Sequence, residues 1–373
     1  MIYLDNSATT KPFEEAVELM AQTERQHYAN ASALYKIALD AEDGILRAKK
    51  EIASVLRCTP EEVLITSGGT FSNNYAVIGA AMSRQRAGNR VVLSKIEHPS
   101  VYACGEQLAA QGFEVLYAEP TIEGFKEAIN EKTIVVAAML VNNEIGLRLP
   151  AEKIADLIRA AGAPAHFHID GVQAFCKIPT NVKALKCDSF SLSAHKIHGP
   201  KGIGALYLKK GVRLQNILFG GDQERGMVPG TYNSPAAAAF GEAISLYRKA
   251  DLSLYDSLRA RLLEGAEDLP FLQINSPEDG VPYIINLSCR GYLGENVLHF
   301  LEGKGIYVSQ GSACSSKKAR STSTLGRLGM DEPTVMGALR ISFGLFNTLE
   351  EIDALIDALR EVPQKIQKRY KDV

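Results

Sequence analysis

No two of the six cysteines in this 373-residue chain form a Cys-x-x-Cys pair, and no spacing among them is that of a zinc site. Five of them, Cys58, Cys104, Cys176, Cys187 and Cys289, sit among apolar or β-prone neighbours, where a cysteine is ordinarily a small hydrophobe. Only Cys314 does not. Excess charge is missing too: the formal net charge is −2, which gives no reason to expect nucleic acid or an anionic membrane as a partner. No apolar run approaches the ~20 residues a membrane span needs. The opening Met1-Ile-Tyr-Leu-Asp5 has no basic residue of the kind that begins a secretory signal. The expectation is a cytoplasmic protein. Internal repeats and low-complexity tracts are absent as well, so organisation has to be read from alternating patterns.

With 46% hydrophobic and 23% charged residues, the composition is that of a soluble globular protein. The length exceeds the roughly 250–300 residues at which a single core stops growing. Two domains are expected, a large one over residues 12–250 and a small α+β one formed by residues 1–11 and 251–373. Helical periodicity runs through Phe13–Gln26 and Ala38–Leu56. Strands are predicted at Val63–Thr66, Val91–Ser94, Glu114–Tyr117, Ile134–Val141, His166–Ile169, Asp188–Leu192 and Ile203–Leu208, with helices at Val101–Gln111 and Ala151–Ala161 between them. Such alternation points to an α/β fold with a mainly parallel sheet covered on both faces. Beyond residue 251 the pattern predicts a helix at Leu252–Leu263, a strand at Tyr283–Ser288, a helix at Glu295–Lys304, strands at Ile306–Ser309 and Ala338–Phe343, and a closing helix at Leu349–Lys368.

Ligands of parallel sheets sit beyond the carboxyl ends of the strands. Thr66–Thr70, Glu97-His98, Asn142–Glu144, Asp170–Gln173 and Ser193–Lys196 each follow a predicted strand, which gathers them to one place. Ser67-Gly-Gly-Thr70, with a helical pattern from Asn73, offers backbone N–H groups to a phosphate. It is not a Walker loop, since no Gly-Lys-Ser/Thr follows.

Lys196 lies at the centre of Ser191-Leu-Ser-Ala-His-Lys-Ile-His-Gly-Pro-Lys-Gly-Ile-Gly-Ala-Leu-Tyr207, in a loop between two predicted strands. A loop pinned at both ends can fix one amine against a bound carbonyl, and a desolvated lysine can form a Schiff base. Taken alone, the string is equally the tip of a solvated hairpin. Asp170, in His166-Phe-His-Ile-Asp-Gly-Val-Gln173, favours the first reading, because an aldehyde-binding lysine and a carboxylate partner for a ring nitrogen are what pyridoxal phosphate requires. The same string carries a rival from another class. His166, His168 and Asp170 alternate along one strand and share a face, and His-x-His is a metal-ligand spacing, so a metal-dependent hydrolase competes.

Tyr3-Leu-Asp-Asn-Ser-Ala-Thr-Thr10, Thr66-Ser-Gly-Gly-Thr70 with Ser72-Asn-Asn74, Glu97-His98, Val141-Asn-Asn-Glu-Ile-Gly146, the Asp170 and Lys196 strings, Gly311-Ser-Ala-Cys314 and Arg340-Ile-Ser-Phe-Gly344 occur in one order. In that order the chain resembles the cysteine desulfurases, pyridoxal-phosphate enzymes of aminotransferase class V. The resemblance implies an α/β protein of fold type I, with a mainly parallel seven-stranded sheet in the large domain and a smaller α+β domain, and pyridoxal 5'-phosphate as cofactor.

It also assigns roles. Lys196 holds the cofactor and then moves the substrate Cα proton as base and acid. Asp170 keeps the ring nitrogen protonated, Gln173 bonds the ring oxygen, and Asn143 lies near that oxygen and the substrate carboxylate. His98 stacks on the ring. Gly69, Thr70, Ser193 and His195 cup the phosphate, joined by Thr231 from the second subunit of a homodimer. Arg340 clamps the substrate carboxylate, a bidentate task suited to guanidinium. Cys314, among small polar residues from Ser309 to Arg320, is implied to attack the sulfur of bound L-cysteine. That leaves L-alanine and a persulfide for an acceptor, an iron–sulfur scaffold or a tRNA-thiolating enzyme. A free thiol has a pKa of about 8.5, and Lys317, Lys318 and Arg320 would raise its thiolate fraction. The Ser-Ala-Cys form and the spacing to Leu325 match the longer-loop group of that family.

Three places depart from the family pattern. Tyr35 ends Asn30-Ala-Ser-Ala-Leu-Tyr35 where a histidine is usual, Val228 and Pro229 replace an arginine and a small residue before Gly230-Thr231, and Asp222 follows Gly220-Gly221 in place of a third glycine. They imply a divergent branch serving a different acceptor. An aminotransferase, which needs no Cys314, a lyase for selenocysteine or a sulfinate, and a cofactor-binding scaffold without turnover are the neighbouring alternatives.

Overall fold

The computed structural model describes residues 1–310 and 323–370, so Cys314, Lys317, Lys318 and Arg320 lie outside the described residues. In chain order the strands are β1 (Ile2–Tyr3), β2 (Val63–Thr66), β3 (Arg90–Ser94), β4 (Glu114–Ala118), β5 (Thr133–Met139), β6 (His166–Asp170), β7 (Ser189–Ser193), β8 (Gly204–Leu208), β9 (Leu272–Ile274), β10 (Ile284–Cys289), β11 (Ile306–Tyr307) and β12 (Ala338–Ser342). They divide between two compact units. One comprises Lys11–Val141 and Leu149–Lys249, the other Met1–Thr10, Asn142–Arg148 and Ala250–Val373.

The larger unit is built on a seven-stranded sheet of order β2-β8-β7-β6-β5-β3-β4. From β7 outward to β4 the pairs are parallel, while β8 runs against both β2 and β7. All seven residues of β5 are buried, the unbroken apolar run of a strand covered on both faces. The first four long helices belong to this unit: α1 (Glu14–Gln26), α2 (Lys36–Leu56), α3 (Gly69–Ser83) and α4 (Pro99–Ala110). Val77 and Ala80 of α3 and Val101 and Leu108 of α4 pack with Val91, Leu93 and Val135 of the sheet. Each such aliphatic side chain contributes about 1.5–3 kcal/mol on burial, which fixes both helix starts against the strand ends.

The smaller unit holds a three-stranded antiparallel sheet, β12-β10-β9, and the parallel pair β1-β11. The helix Ser253–Glu267 packs against the helix Leu349–Arg360. The latter begins with a capping box in which the Thr348 hydroxyl and the Glu351 carboxylate each take a backbone N–H.

The structure differs from the sequence expectation at several places: Lys11 belongs to the larger unit and Ala250 to the smaller, and the helix Ser234–Tyr247 and the strand Leu272–Ile274 have no counterpart among the predicted elements. Residues Asn142–Arg148, expected in the large domain, group with the smaller unit because their partners are there: Gly146 O accepts from Val281 N at 2.9 Å and Asn142 Nδ2 donates to Thr324 Oγ1 at 3.1 Å. The closing helix, expected to run to Lys368, stops at Arg360 and restarts as a short turn at Val362–Lys365. Pro363 has no N–H to continue the ladder and disfavours helical backbone at the residue before it. α3 begins at Gly69, earlier than the Asn73 that periodicity suggested. The strand expected at Ile306–Ser309 is regular only over Ile306–Tyr307.

Candidate active site

In the larger unit the chemistry-bearing side chains sit where strands end. β2 turns into α3 through Gly68, whose φ of +143° L side chains rarely adopt. A Cβ on Gly69 would stand 2.6 Å from Val172 Cγ2 and 3.9 Å from Ser193 Cβ, so the start of α3 presses on the turn after β6 and on the end of β7. The first-turn N–H groups of a helix have no intrahelical acceptor and favour an anion. Gly69 and Ser193 are buried there, and Thr70 is exposed. Lys196 ends the turn Ala194–Lys196 that follows β7.

His98 is the N-cap of α4, with extended backbone before Pro99 at the first helical position. Its Nδ1 accepts the Ser100 N–H at 3.1 Å and lies 2.8 Å from Ser100 Oγ. Asp170 closes β6, 6% exposed. Its Oδ2 accepts from Asn73 Nδ2 at 2.7 Å and its Oδ1 from Val172 N at 3.0 Å. Burial lowers the His98 pKa, Asp170 opposes that shift, and Lys196 adds to it. Imidazole, carboxylate and amine therefore share one neighbourhood. Burial, reinforced by Lys196, pushes the Lys177 ammonium down to about 7, and Lys177 Nζ lies 3.5 Å from Gln173 Oε1. His195 is held down to about 4 by burial and then by Lys196, Lys201 and Lys177. Of these lysines Lys177 is buried, Lys196 half-buried and Lys201 exposed, and lysines grouped in this way suit an anionic ligand.

In the smaller unit Arg340 on β12 donates from Nη2 to Asp5 Oδ1 at 2.6 Å and from Nη1 to Asn143 O at 3.0 Å. Ser309 exchanges backbone hydrogen bonds with Arg340, at 3.1 and 2.7 Å, and Thr324 N donates to Glu144 Oε2 at 3.0 Å. The described residues flanking segment 311–322 are thus anchored on Arg340 and on the 142–144 turn. Thr231 is exposed in the loop before the helix Ser234–Tyr247.

The hydrolase alternative loses its ligands. His166 and His168 do share a face, but both spend a ring nitrogen on Ser189 Oγ, at 2.7 and 2.8 Å, and His168 Nε2 bonds Asn73 Oδ1 at 3.0 Å. Burial lowers both pKa values to about 3. Among the described residues no three His, Cys, Asp or Glu side chains are grouped to hold a metal. No described helix is long and apolar enough to cross a membrane. Each described cysteine thiol is pushed up by burial, Cys58, Cys104 and Cys289 to about 12 and Cys176 and Cys187 further, which leaves them poor nucleophiles.

The sequence pattern of the aminotransferase class-V family matches residues 2–355. The chain belongs to that family, among its cysteine desulfurases. It is 36% identical over 379 residues to the cysteine desulfurase IscS of Methanosarcina thermophila, covering 98% of this chain and 93% of the relative. With the cysteine desulfurase IscS of Vibrio atlanticus the identity is 38% over 381 residues, with the same coverage. A solved NifS-like protein superposes with a TM-score of 0.91 at 30% identity, over 98% of this chain and all of the other. SspA in complex with cysteine gives a TM-score of 0.81 at 29% identity, over 93% of this chain and 100% of that one.

Class-V aminotransferases use pyridoxal phosphate, and the residues present fit it. The Gly69 cradle would be filled by any Cβ, and a buried carboxylate stands near a lysine. Asn73, Asp5 and Lys177 were not singled out by the sequence reading. Asn73 stands inside the Ser72-Asn-Asn74 motif, but its bonds to Asp170 and His168 span 97 and 95 residues, which no local pattern reveals. For Lys177 a signal existed, a lysine four residues beyond Gln173 within an otherwise apolar run.

Proposed function

We propose that the protein is a pyridoxal-phosphate-dependent cysteine desulfurase that takes sulfur from L-cysteine, releases L-alanine and carries the sulfur on Cys314. The observation that carries the reading is the placement of the buried Asp170 carboxylate at the end of β6 and of Lys196 in the turn that follows the adjoining β7, in a chain of this family. When bound, the cofactor supplies an aldehyde for amines and a ring that accepts electrons from the substrate Cα. Gly69, Thr70, Ser193 and His195 would hold its phosphate, with Thr231 from a second copy of the chain in a homodimer, and Asp170, Gln173 and Asn143 would hold its ring.

The Lys196 amine would hold the cofactor aldehyde, and it would take the substrate Cα proton and return it. The Asp170 carboxylate would keep a proton at the ring nitrogen. His98, kept neutral by burial, can give or take a proton at Nε2. Arg340 takes the substrate carboxylate by exchanging it for Asp5. The Cys314 thiolate then attacks the substrate sulfur. A sulfur–sulfur bond forms, the carbon–sulfur bond breaks, and a proton delivered to Cβ completes alanine. The acceptor is a protein, an iron–sulfur scaffold or a tRNA-thiolating enzyme. Val228, Pro229 and Tyr35 set this branch apart in how it is met.

The test is to incubate purified protein with L-cysteine and measure alanine, protein-bound sulfur and keto acid. Alanine and sulfur in equal amounts, lost in Lys196→Ala, are expected. A keto acid in place of alanine would make the chain an aminotransferase.

A further inference from the structure

Asp170 and His98 are joined through one amide. Asn73, on α3 and 1% exposed, donates from Nδ2 to Asp170 Oδ2 at 2.7 Å and to Ser100 Oγ at 2.9 Å. Ser100 Oγ lies 2.8 Å from His98 Nδ1. On its other side Asn73 Oδ1 meets Ser191 Oγ at 2.5 Å and His168 Nε2 at 3.0 Å. His168 Nδ1 and His166 Nε2 then share Ser189 Oγ.

The direction of every bond follows from one fact: a carboxylate accepts and cannot donate. Asn73 must turn its nitrogen to Asp170, so its oxygen faces Ser191 and His168, and both donate to it. A neutral His168 that donates from Nε2 accepts at Nδ1, so the Ser189 hydroxyl donates to it and takes the His166 Nε2–H in turn. On the near side, Ser100 Oγ accepts from Asn73, and its own proton goes to His98 Nδ1. His98 Nδ1 also accepts the Ser100 N–H at 3.1 Å, so His98 carries its proton on Nε2. The chain ends at His166 Nδ1, which has no partner among the described residues.

We propose that Asn73 is a positioning residue for the reaction. Through its single amide it aims the carboxylate of Asp170 and orients the Ser100 hydroxyl that, together with the Ser100 N–H, holds His98 in the Nε2–H form, so that the groups assigned to the ring nitrogen and to the ring face are set together. The His168–Ser189–His166 string locks the amide against flipping, because a flipped Asn73 would put its oxygen against a carboxylate and its nitrogen against two donors. This deepens the reading above and rests on it for the reaction served, but the bond order itself belongs to the cofactor-free chain.

The experiment has two arms. In the first, histidine side-chain nitrogen shifts are recorded on cofactor-free protein; seven histidines keep the assignment tractable. Wild type is expected to show His98 and His168 neutral with the proton on Nε2. Asn73→Ala, which removes the acceptor of the His168 Nε2–H, is expected to move His168 to a mixed or reversed tautomer, while the isosteric Asn73→Asp, which removes only the donor, keeps it. Ser100→Ala keeps the backbone N–H on His98 Nδ1 and should leave both tautomers unchanged. In the second arm pyridoxal phosphate is added and its visible absorbance followed against pH. Loss of the Asn73 donor removes one hydrogen bond from the Asp170 carboxylate, so the titration midpoint is expected to shift by about one pH unit in Asn73→Ala and Asn73→Asp, with little change in Ser100→Ala.

A residue that served folding alone would lower stability and leave both tautomer and midpoint where they were. That result in either Asn73 variant overturns the proposal. Wild type that takes up no pyridoxal phosphate would sink the functional reading instead, and the tautomer arm would still decide the bond order.

Discussion

Arg340 illustrates how a single residue can be committed before substrate arrives. Its side chain is 9% exposed and that of Asp5 19%, so the pair is held in a medium where breaking it leaves an uncompensated charge. Asp5→Asn is expected to lower stability by about 2–4 kcal/mol, read from urea denaturation, and to lower the KM for cysteine because the competing carboxylate is gone. Arg340→Lys should retain bound cofactor yet raise KM about ten-fold or more, since a point charge cannot make the two-pronged contact. An unchanged KM in both variants would remove Arg340 from substrate binding. Lys196 and Asp170 could be singled out from their strings because their chemistry is local to those strings. Asp5 could not, because its partner lies 335 residues away and nothing in Tyr3-Leu-Asp-Asn distinguishes a structural carboxylate from a solvated one.

At the scale of elements, the start of α3 is the most constrained feature. A Cβ at Gly69 meets Val172 Cγ2 at 2.6 Å, and overpacking of this kind costs about 1–3 kcal/mol. Gly69→Ala is expected to weaken pyridoxal phosphate binding at least ten-fold, and Val172→Ala added to it should recover most of the loss. No recovery would mean that the glycine serves backbone freedom and not the close approach. The strand and helix alternation of the larger unit was legible because buried parallel strands are unbroken apolar runs, as in β5. Element edges were less so. Two glycines before Thr70 read as a turn although the second already begins the helix, and the closing helix stops at Arg360, three residues before Pro363. The grouping of Asn142–Arg148 with the smaller unit rests on hydrogen bonds to Val281 and Thr324 that local sequence does not contain.

For the whole molecule, the buried imidazoles set the response to acid. His166 and His168 are fully buried and stay neutral in the folded chain down to about pH 3, whereas in the unfolded chain a histidine takes up its proton near pH 6.5. The unfolded state therefore binds more protons in that window. The stability these residues contribute is present above about pH 6.5 and falls as pH drops toward 3, by about 1.4 kcal/mol per histidine per pH unit. Urea midpoints between pH 7 and pH 5 should show that decline, and His166→Gln should make it shallower. A midpoint independent of pH would mean that these imidazoles are solvated.

The most direct measurement of the central claim concerns Cys314, the cysteine outside the described residues. Purified protein loaded with pyridoxal phosphate is given L-cysteine without reductant, and the peptide containing Cys314 is weighed by mass spectrometry. The account predicts one added sulfur atom on Cys314, alanine formed in step with it, and, in Cys314→Ser, retained cofactor colour with no protein-bound sulfur. Sulfur release that persists undiminished in Cys314→Ser would contradict it.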